Sequence, residues 1–473
     1  MANHSITPSF PSHLSSFSQA LSDFITLISN TSRVTVAYSG GLDSTVLLHL
    51  LSQTSCLKGR VSAHYIDHDL QAASEGWGLH CMKVCHSLSI PFKSTKVKIT
   101  STKRKGLESV ARDLRYQALI DSLNFQSDVL VTGHHQRDQA ETVLLNLVRG
   151  SGVSGLSGMP SSKSLTNEKS SVLHVRPLLN IPYRYLITYA QHYKLTWIED
   201  PSNFSTKYKR NVIRQEVLPV LKTHWPQVEK TVARTAQNMS EAQILLDRMA
   251  QLKITDMDGS GLYFDFNVLS SSDWLEQKNA VRYWFACKFN ISLSTKHYEW
   301  IKGVVDVHAH SRQKAFSYKM SVGELRFYKS RLYYLVKPFQ PFSFACIHQF
   351  NEEPMVMQFN NGCFEIKSGF LIENRADFQW CVDEKYKSGL RKVVVRSISQ
   401  SDELNRKKLK AFFQKQLIPS WERLHWPVME IDGVLVSVLG CCSCVKDAPV
   451  TKGAFFNIDF AGFDLNEIAS VRS

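Results

Sequence analysis

Between about residues 30 and 200, short β-branched runs alternate with segments whose apolar residues recur at helical spacing. The runs are Val34-Thr35-Val36-Ala37-Tyr38, Val61 to Ile66, and Ser127 to His135. This rhythm predicts a parallel α/β sheet, a fold that binds ligands at the carboxyl ends of its strands. The Ser/Lys/Asn-rich stretch from Ser161 to Ser171 reads as an exposed loop. From Pro226 to Phe285 the pattern turns helical, amphipathic over Val232 to Met249 and dense in aromatics over Gln277 to Phe289. Strands follow, with Leu325 to Val336 read as a hairpin around Lys329-Ser330. Near the carboxyl end a basic helix from Asn405 to Lys415 leads to an apolar strand from Gly433 to Leu439. The expected fold class is therefore α/β, a parallel-sheet domain followed by a mainly helical middle domain and a small mixed α/β C-terminal domain.

The first strand ends in Ser39-Gly40-Gly41-Leu42-Asp43-Ser44, and a helical pattern begins at once. A strand, a glycine turn and a helix start gather free backbone N–H groups and the positive end of a helix dipole at one point, which suits phosphate. The glycines let a phosphate approach the main chain, while Ser39 and Ser44 offer hydroxyl donors and a helix cap. Asp43 would repel a polyphosphate unless a divalent cation lay between them, so it is read as arranging magnesium or the loop itself. No Gly-Lys-Ser/Thr follows, so this is not a Walker loop.

Other constellations fall at the strand ends. His64 and His68 close the second strand. In the segment from Gly106 to Tyr116, Leu107, Val110, Ala111 and Leu114 form an apolar stripe, and Glu108, Arg112 and Arg115 share a polar one. That polar stripe is either an i, i+4 helix pair or an arginine clamp for phosphate or RNA. His134 and His135 end the third run, where one could meet a nucleotide, and Asp138 and Glu141 share a helix face three residues apart. The acids serve either the helix dipole or a cationic substrate. Arg210 and Arg214 lie at i, i+4 beyond Glu199-Asp200-Pro201.

Net charge is +14 with pI near 9.2, which favours a polyanionic partner. Basic residues cluster at Lys93 to Lys105, at Lys207 to Arg214, and at Arg406, Lys407, Lys408 and Lys410. One such run is ordinarily a solvated face, but three beside a nucleotide-activating loop point to RNA. The first residues lack a basic start and a continuous apolar core, so no signal peptide is read, and no segment reaches the roughly 18 apolar residues of a membrane span. The expectation is a soluble, cytoplasmic protein. Its ten cysteines carry no recognised disulfide or zinc spacing, and Cys81 with Cys85, like Cys441 with Cys442 and Cys444, are read as buried or incidental thiols.

Six motifs in order, SGGLDS, HYIDHDL, GLESVARDLRYQ, HHQRDQAET, RGSGVSGL and EDPSN with KRNVIR, resemble those of tRNA(Ile)-lysidine synthetases, which are PP-loop enzymes of the N-type ATP pyrophosphatase superfamily. The likeness covers most of residues 33 to 225, and the segment from Asn405 to Gly440 resembles the C-terminal domain of longer members. It implies a PP-loop ATP-binding catalytic domain at 1–225, a tRNA-recognition domain at 226–340 and a tRNA-binding domain at 341–473. It also implies that ATP with Mg2+ adenylates the wobble cytidine of tRNA(Ile) with a CAU anticodon, after which L-lysine displaces AMP to give lysidine. By the same resemblance, Ser39, Gly40, Gly41, Leu42, Asp43, Ser44, His64 and His134 hold ATP, while Asp43, Arg112, Arg115, Asp138 and Glu141 are catalytic. Asp138 and Glu141 would grip lysine, and Arg210, Arg214, Arg406, Lys407 and Lys408 would contact substrate. A homodimer is admitted. The chain departs from the family at Asp69, where Gly is usual, at Ser205 and Thr206, where an acid is common, and at Arg137. The alternative is a PP-loop tRNA thiolation enzyme, against which no C-x-x-C arrangement stands near the loop; a non-catalytic RNA-binding protein would not need Asp43, Asp138 and Glu141.

Overall fold

The computed structural model describes residues 15–458 except the internal segments 68–73, 98–106, 124–127, 168–169, 207, 256–262, 311–314, 337–342, 350–354, 360–361, 369–378, 384–389, 417, 425, 439–440, 442–443 and 446–452. The chain divides into two compact units, Met1–Leu245 and Leu246–Ser473.

The first unit is built on β1 (Arg33–Ala37), β2 (Val61–Asp67), β3 (Phe92–Lys96), β4 (Asp128–Val131), β5 (Ser162–Asn167) and β6 (Ser170–Val175), in the order β3-β2-β1-β4-β6-β5. All neighbours are parallel except the β5–β6 hairpin. Val34 and Val36 pair with Val61 and Ala63 on one side and with Val129 and Val131 on the other, so the centre of the sheet is a β-branched block buried on both faces. Helices α1 (Ser15–Leu27), α2 (Leu42–Ser52), α3 (Ser74–Ser87), α4 (Leu107–Asp121), α5 (Gln136–Val148), α6 (Val153–Leu156) and α7 (Tyr183–His192) accompany it. Phe17, Leu21, Val46, Leu47, Leu50 and Tyr189 join the strand valines in one core. The chain then runs through α8 (Lys209–Val212), a π-helical turn (Ile213–Val217), α9 (Leu218–His224) and α10 (Val228–Ile254).

Because β1 has β2 on one flank and β4 on the other, the connections leave its carboxyl end in opposite directions. That reversal opens a crevice at the carboxyl ends of β1 and β4. The sequence reading of β1, β2 and β4 holds, while Ser161 to Ser171, read as a loop, instead contains β5 and the start of β6. Antiparallel pairing with β6 supplies the order that its polar side chains do not suggest.

In the second unit, α11 (Trp274–Phe289) and α12 (Thr295–His310) share a core of Phe264, Phe285, Ile301, Phe327 and Tyr334 with the sheet of β7 (Tyr263–Asp265), β8 (Phe316–Lys319), β9 (Glu324–Tyr328) and β10 (Arg331–Leu335). The expected hairpin is present, with Lys329 and Ser330 at φ 47 and 64. Positive φ at both central residues matches the right-handed twist of the flanking strands. Farther on, two four-stranded sheets follow, one made of β11 (Ser343–Gln349), β15 (Leu390–Ser397), β16 (Pro427–Ile431) and β17 (Val434–Val438), the other of β12 (Met355–Phe359), β13 (Gly362–Ser368), β14 (Gln379–Asp383) and β18 (Gly453–Ile458). The basic helix is α13 (Arg406–Lys415), which buries Leu409 and Phe413 against Val393, Trp426 and Val428. One cysteine expectation is overturned: Cys441 and Cys444 are joined in a disulfide, and Cys444 N–H donates to Cys441 O at 3.1 Å.

Candidate active site

The glycine turn after β1 leads straight into α2. Its N-cap is Gly41, which offers no side-chain cap, so the first N–H groups of α2 have no side-chain acceptor at the cap. Ser44, expected as a cap, sits inside the first turn, where its Oγ lies 3.0 Å from Ser39 Oγ, accepts from Ser39 N–H at 3.2 Å and donates to Gly41 O at 3.1 Å. These bonds hold the loop as a ring around the helix start. Leu42 is 8% exposed and packs in the core, so only its backbone faces the turn. Gly40 has φ +78, and a Cβ there would stand 2.7 Å from Ile198 Cδ1 and 2.8 Å from Cys81 Sγ. The thiols of Cys81 and Cys85 are buried and pushed up to about 12 by that burial, which leaves them protonated beneath the loop.

Strand β4 delivers the opposite wall. Gly133 lets it pack closely, since a Cβ would stand 2.8 Å from the backbone of Asp43. His135 caps α5: its Nδ1 accepts from Arg137 N–H at 3.2 Å, and its backbone N–H donates to Asp138 Oδ2 at 3.0 Å. A bare Nδ1 leaves the proton on Nε2, which faces Asp43 Oδ1 at 3.5 Å and Asp138 Oδ2 at 3.4 Å. Burial resists a charge on this ring and the two carboxylates favour one, with the balance raising its pKa; protonation would cost the helix cap.

Asp43, His135 and Asp138 each bring a ligand atom within 4.8 Å of the others. His135 cannot ligate through Nε2 while Nδ1 caps the helix, so a metal would fall to the carboxylates. Asp43 Oδ1 fits best, because it is buried and has no hydrogen-bond partner among the described residues. An oxygen left in that condition suits a hard cation.

Asp138 and Glu141 meet Arg210 and Arg214 from α8 and the π-helical turn. Arg210 donates Nε to Glu141 Oε2 at 2.7 Å and Nη2 to Asp138 Oδ1 at 2.8 Å. Arg214 donates Nε to Glu141 Oε1 at 2.6 Å, with Nη2 at 3.0 Å from Glu141 Oε2. Glu141 is wholly buried. Burial pushes the Asp138 pKa up, but His135 and Arg210 outweigh it and hold the group below the usual carboxylate range. In this arrangement both acids are occupied by arginine, and neither stands open as a receptor for an ammonium.

The remaining predicted residues separate. His64 is buried with Nε2 2.8 Å from Thr95 Oγ1 and Nδ1 2.9 Å from Ser122 Oγ, so both ring nitrogens are spent inside the fold. In this arrangement neither ring nitrogen is free for the nucleotide contact that the resemblance implies. His68, Asp69 and the side chain of Glu108 lie outside the described residues. Arg112 and Arg115 are exposed on α4 and approach the Tyr116 ring at 5.7 and 5.9 Å. Of the two, Arg112 bears on the site, since its charge helps depress the pKa of His134. Arg137 turns away, stacking on Tyr183 at 3.9 Å and bonding to Glu229 at 3.0 Å. In the second unit Arg406 donates to the carbonyls of Ser399, Gln400 and Asp402, while Lys407 and Lys408 are exposed. Sequence reasoning missed Thr132, His174 and Arg176. Its available signal was a histidine within the apolar run Val172 to Val175, with an arginine two residues later just past the strand.

A PP-loop domain family matches residues 13–221, and a TilS substrate C-terminal domain family matches residues 401–453. The chain is 35% identical to the tRNA(Ile)-lysidine synthase of Hydrogenovibrio crunogenus over 425 residues, spanning 89% of this chain and 96% of that protein. The chain belongs to the tRNA(Ile)-lysidine synthase family. The Coxiella burnetii member is 32% identical and covers 90% of this chain and 92% of its own length. Among solved structures, the U34-tRNA thiolase NcsA of Methanococcus maripaludis is similar at TM-score 0.40 and 19% identity, over 48% of this chain and 78% of that one.

Proposed function

We propose that the chain ligates free L-lysine to C2 of the wobble cytidine of tRNA(Ile) with a CAU anticodon, giving lysidine, AMP and pyrophosphate and changing decoding from AUG to AUA. The observation that carries this reading is the uncapped start of α2 at the reversal of strand order, inside a chain that belongs to the family over most of its length. There the N–H groups of the loop bind the phosphates of ATP, with the Ser39 and Ser44 hydroxyls at its rim. The cytidine O2 attacks the α-phosphorus and pyrophosphate leaves. The lysine ε-amine, having lost its proton, then attacks C2, and AMP departs with that oxygen. Mg2+, held by Asp43, would neutralise phosphate charge when bound.

Asp138 remains the candidate lysine receptor through an exchange of cations, in which the incoming ammonium takes the place of Arg210 and frees that arginine toward the nucleotide or tRNA. Arg112 and Arg115 face the tRNA or phosphate from α4. Residues 1–225 form the catalytic domain, and 226–340 with 341–473 carry tRNA recognition. In the last of these, Arg406, Lys410 and Arg423 line a cleft of about 230 Å³ floored by Leu409 and Phe413, a lining suited to a nucleotide. A cytoplasmic enzyme acting as a homodimer completes the proposal, with light scattering as the check on assembly; among the described residues no helix is long and apolar enough to cross a membrane.

Incubation with ATP, Mg2+, lysine and the CAU isoleucine tRNA should yield a cytidine-plus-lysine nucleoside by mass spectrometry of the digested tRNA. Thiocytidine in its place would favour the thiolation reading, against which the buried, protonated Cys81 and Cys85 already count.

A further inference from the structure

A chain of buried and part-buried hydrogen bonds runs from Arg176 to His134, the residue after Gly133. Arg176 Nη2 lies 3.3 Å from His174 Nδ1, His174 Nε2 lies 2.9 Å from Thr132 Oγ1, and Thr132 Oγ1 lies 2.8 Å from His134 Nδ1. His174 is wholly buried, and Arg176 and Thr132 are 6% and 7% exposed. The direction of each bond follows from what each group can do. A guanidinium only donates, so His174 Nδ1 accepts and its proton is on Nε2. Nε2–H then donates to Thr132 Oγ1. The threonine hydroxyl has one proton and, among the described residues, no other acceptor in reach, so it donates to His134 Nδ1. His134 is left with its proton on Nε2, the one ring nitrogen with no protein partner among the described residues.

Both rings are held neutral. Burial, with the Arg176 charge, brings His174 down to about 2, and burial brings His134 to about 3 although Asp138 works the other way. His134 follows Gly133, where an added Cβ would stand 2.8 Å from the Asp43 backbone and 3.0 Å from Ser44 N, so the residue before His134 packs against the start of α2.

We propose that Arg176, acting through His174 and Thr132, is a positioning residue that fixes His134 as a neutral imidazole donating Nε2–H to an oxygen of the bound nucleotide. A histidine free to change tautomer could offer that oxygen a lone pair instead of an N–H; the relay removes that choice before the nucleotide arrives. This assignment rests on the reading of the loop as an ATP site.

The test uses the full chain labelled with 15N-histidine, with His134 assigned by loss of its signal in His134→Gln. Long-range proton–nitrogen spectra of the free wild-type protein should show the Nε2–H tautomer at His134. Thr132→Val, which keeps the shape and removes the hydroxyl, should mix the tautomers and raise the KM for ATP about tenfold, the size of one lost hydrogen bond to a charged acceptor, with the KM for lysine unchanged. Thr132→Ser should restore both, and Arg176→Met should mix the tautomers as Thr132→Val does. An Nδ1–H tautomer in the wild type with normal ATP binding would overturn the relay alone, as would an unchanged ATP KM in Thr132→Val. Failure of the wild-type chain to bind ATP would overturn the nucleotide reading beneath it.

Discussion

Two carboxylates in this site, Glu141 and Asp43, are built for opposite purposes. Glu141 is wholly buried and receives three hydrogen bonds from Arg210 and Arg214. Removing its charge leaves two arginines facing a neutral group, and breaking a buried pair in this way costs about 3 to 5 kcal/mol. Asp43 has a carboxylate oxygen with no hydrogen-bond partner among the described residues and faces the His135 ring at 3.5 Å, so its charge contributes less to the fold than that of Glu141. Glu141→Gln is therefore expected to lower the unfolding free energy obtained from urea titration by that amount. Asp43→Asn should leave the unfolding free energy within about 1 kcal/mol of wild type and lower pyrophosphate release at least a hundredfold, in the range for loss of a group that stabilises transferring phosphate. Equal destabilisation by the two substitutions would contradict this division of labour. Sequence spacing placed Asp138 and Glu141 on one face, but it had no means of finding what they meet, because Arg210 and Arg214 stand about 70 residues farther along the chain.

At the level of elements, α13 carries Arg406, Lys407 and Lys408 in its first turn, where the helix dipole disfavours cations. Arg406 is occupied by the carbonyls of the preceding loop. Lys407 and Lys408 are exposed, and tRNA phosphates are the compensation the proposal gives them. Replacing both lysines with Gln should weaken tRNA binding and reduce the salt slope by about 2, one unit per lost phosphate contact; an unaltered slope would remove this helix from the interface. Elements were legible where side chains alone set the pattern. Val34 to Ala37 and Val129 to Val131 are β-branched or aliphatic and central, and Lys329-Ser330 separates two aromatic-rich strands. Strands β3 and β5, Phe92–Lys96 and Ser162–Asn167, were not legible. Both lie at the edges of the sheet, so a polar sequence suffices and the neighbouring strand supplies the order.

For the molecule as a whole, buried histidines set the response to acid. Burial brings His64 to about 4, His134 to about 3 and His174 to about 2, all below the unfolded value of about 6.5. Between those values the unfolded chain binds protons that the folded chain refuses. Stability is thus fully present above pH ~6.5 and lost as pH falls, at roughly 1.4 kcal/mol per pH unit for each ring. His135 has the opposite sign, because a raised pKa favours the folded state below ~6.5 and loses that favour as pH rises. Three rings outweigh one, and the urea midpoint should fall from pH 7.5 to 5.5. A midpoint that rose over this range would mean that the rings accept protons in the folded protein. The basic composition had indicated a polyanionic partner, whereas this acid response was not legible, since it depends on which histidines the fold encloses.

The ion cluster also fixes where the first unit can be cut. Its sheet is complete at Val175, and α7 closes the core at His192, so a fragment ending near residue 200 contains every strand. Such a fragment would nevertheless leave Glu141 as a bare carboxylate in an apolar interior, its two guanidinium partners removed. The shortest piece of this chain able to stand alone around the phosphate loop must therefore extend past Arg214, and the segment from Lys209 to Val217 belongs to the foundation of the sheet domain rather than to the linker beyond it.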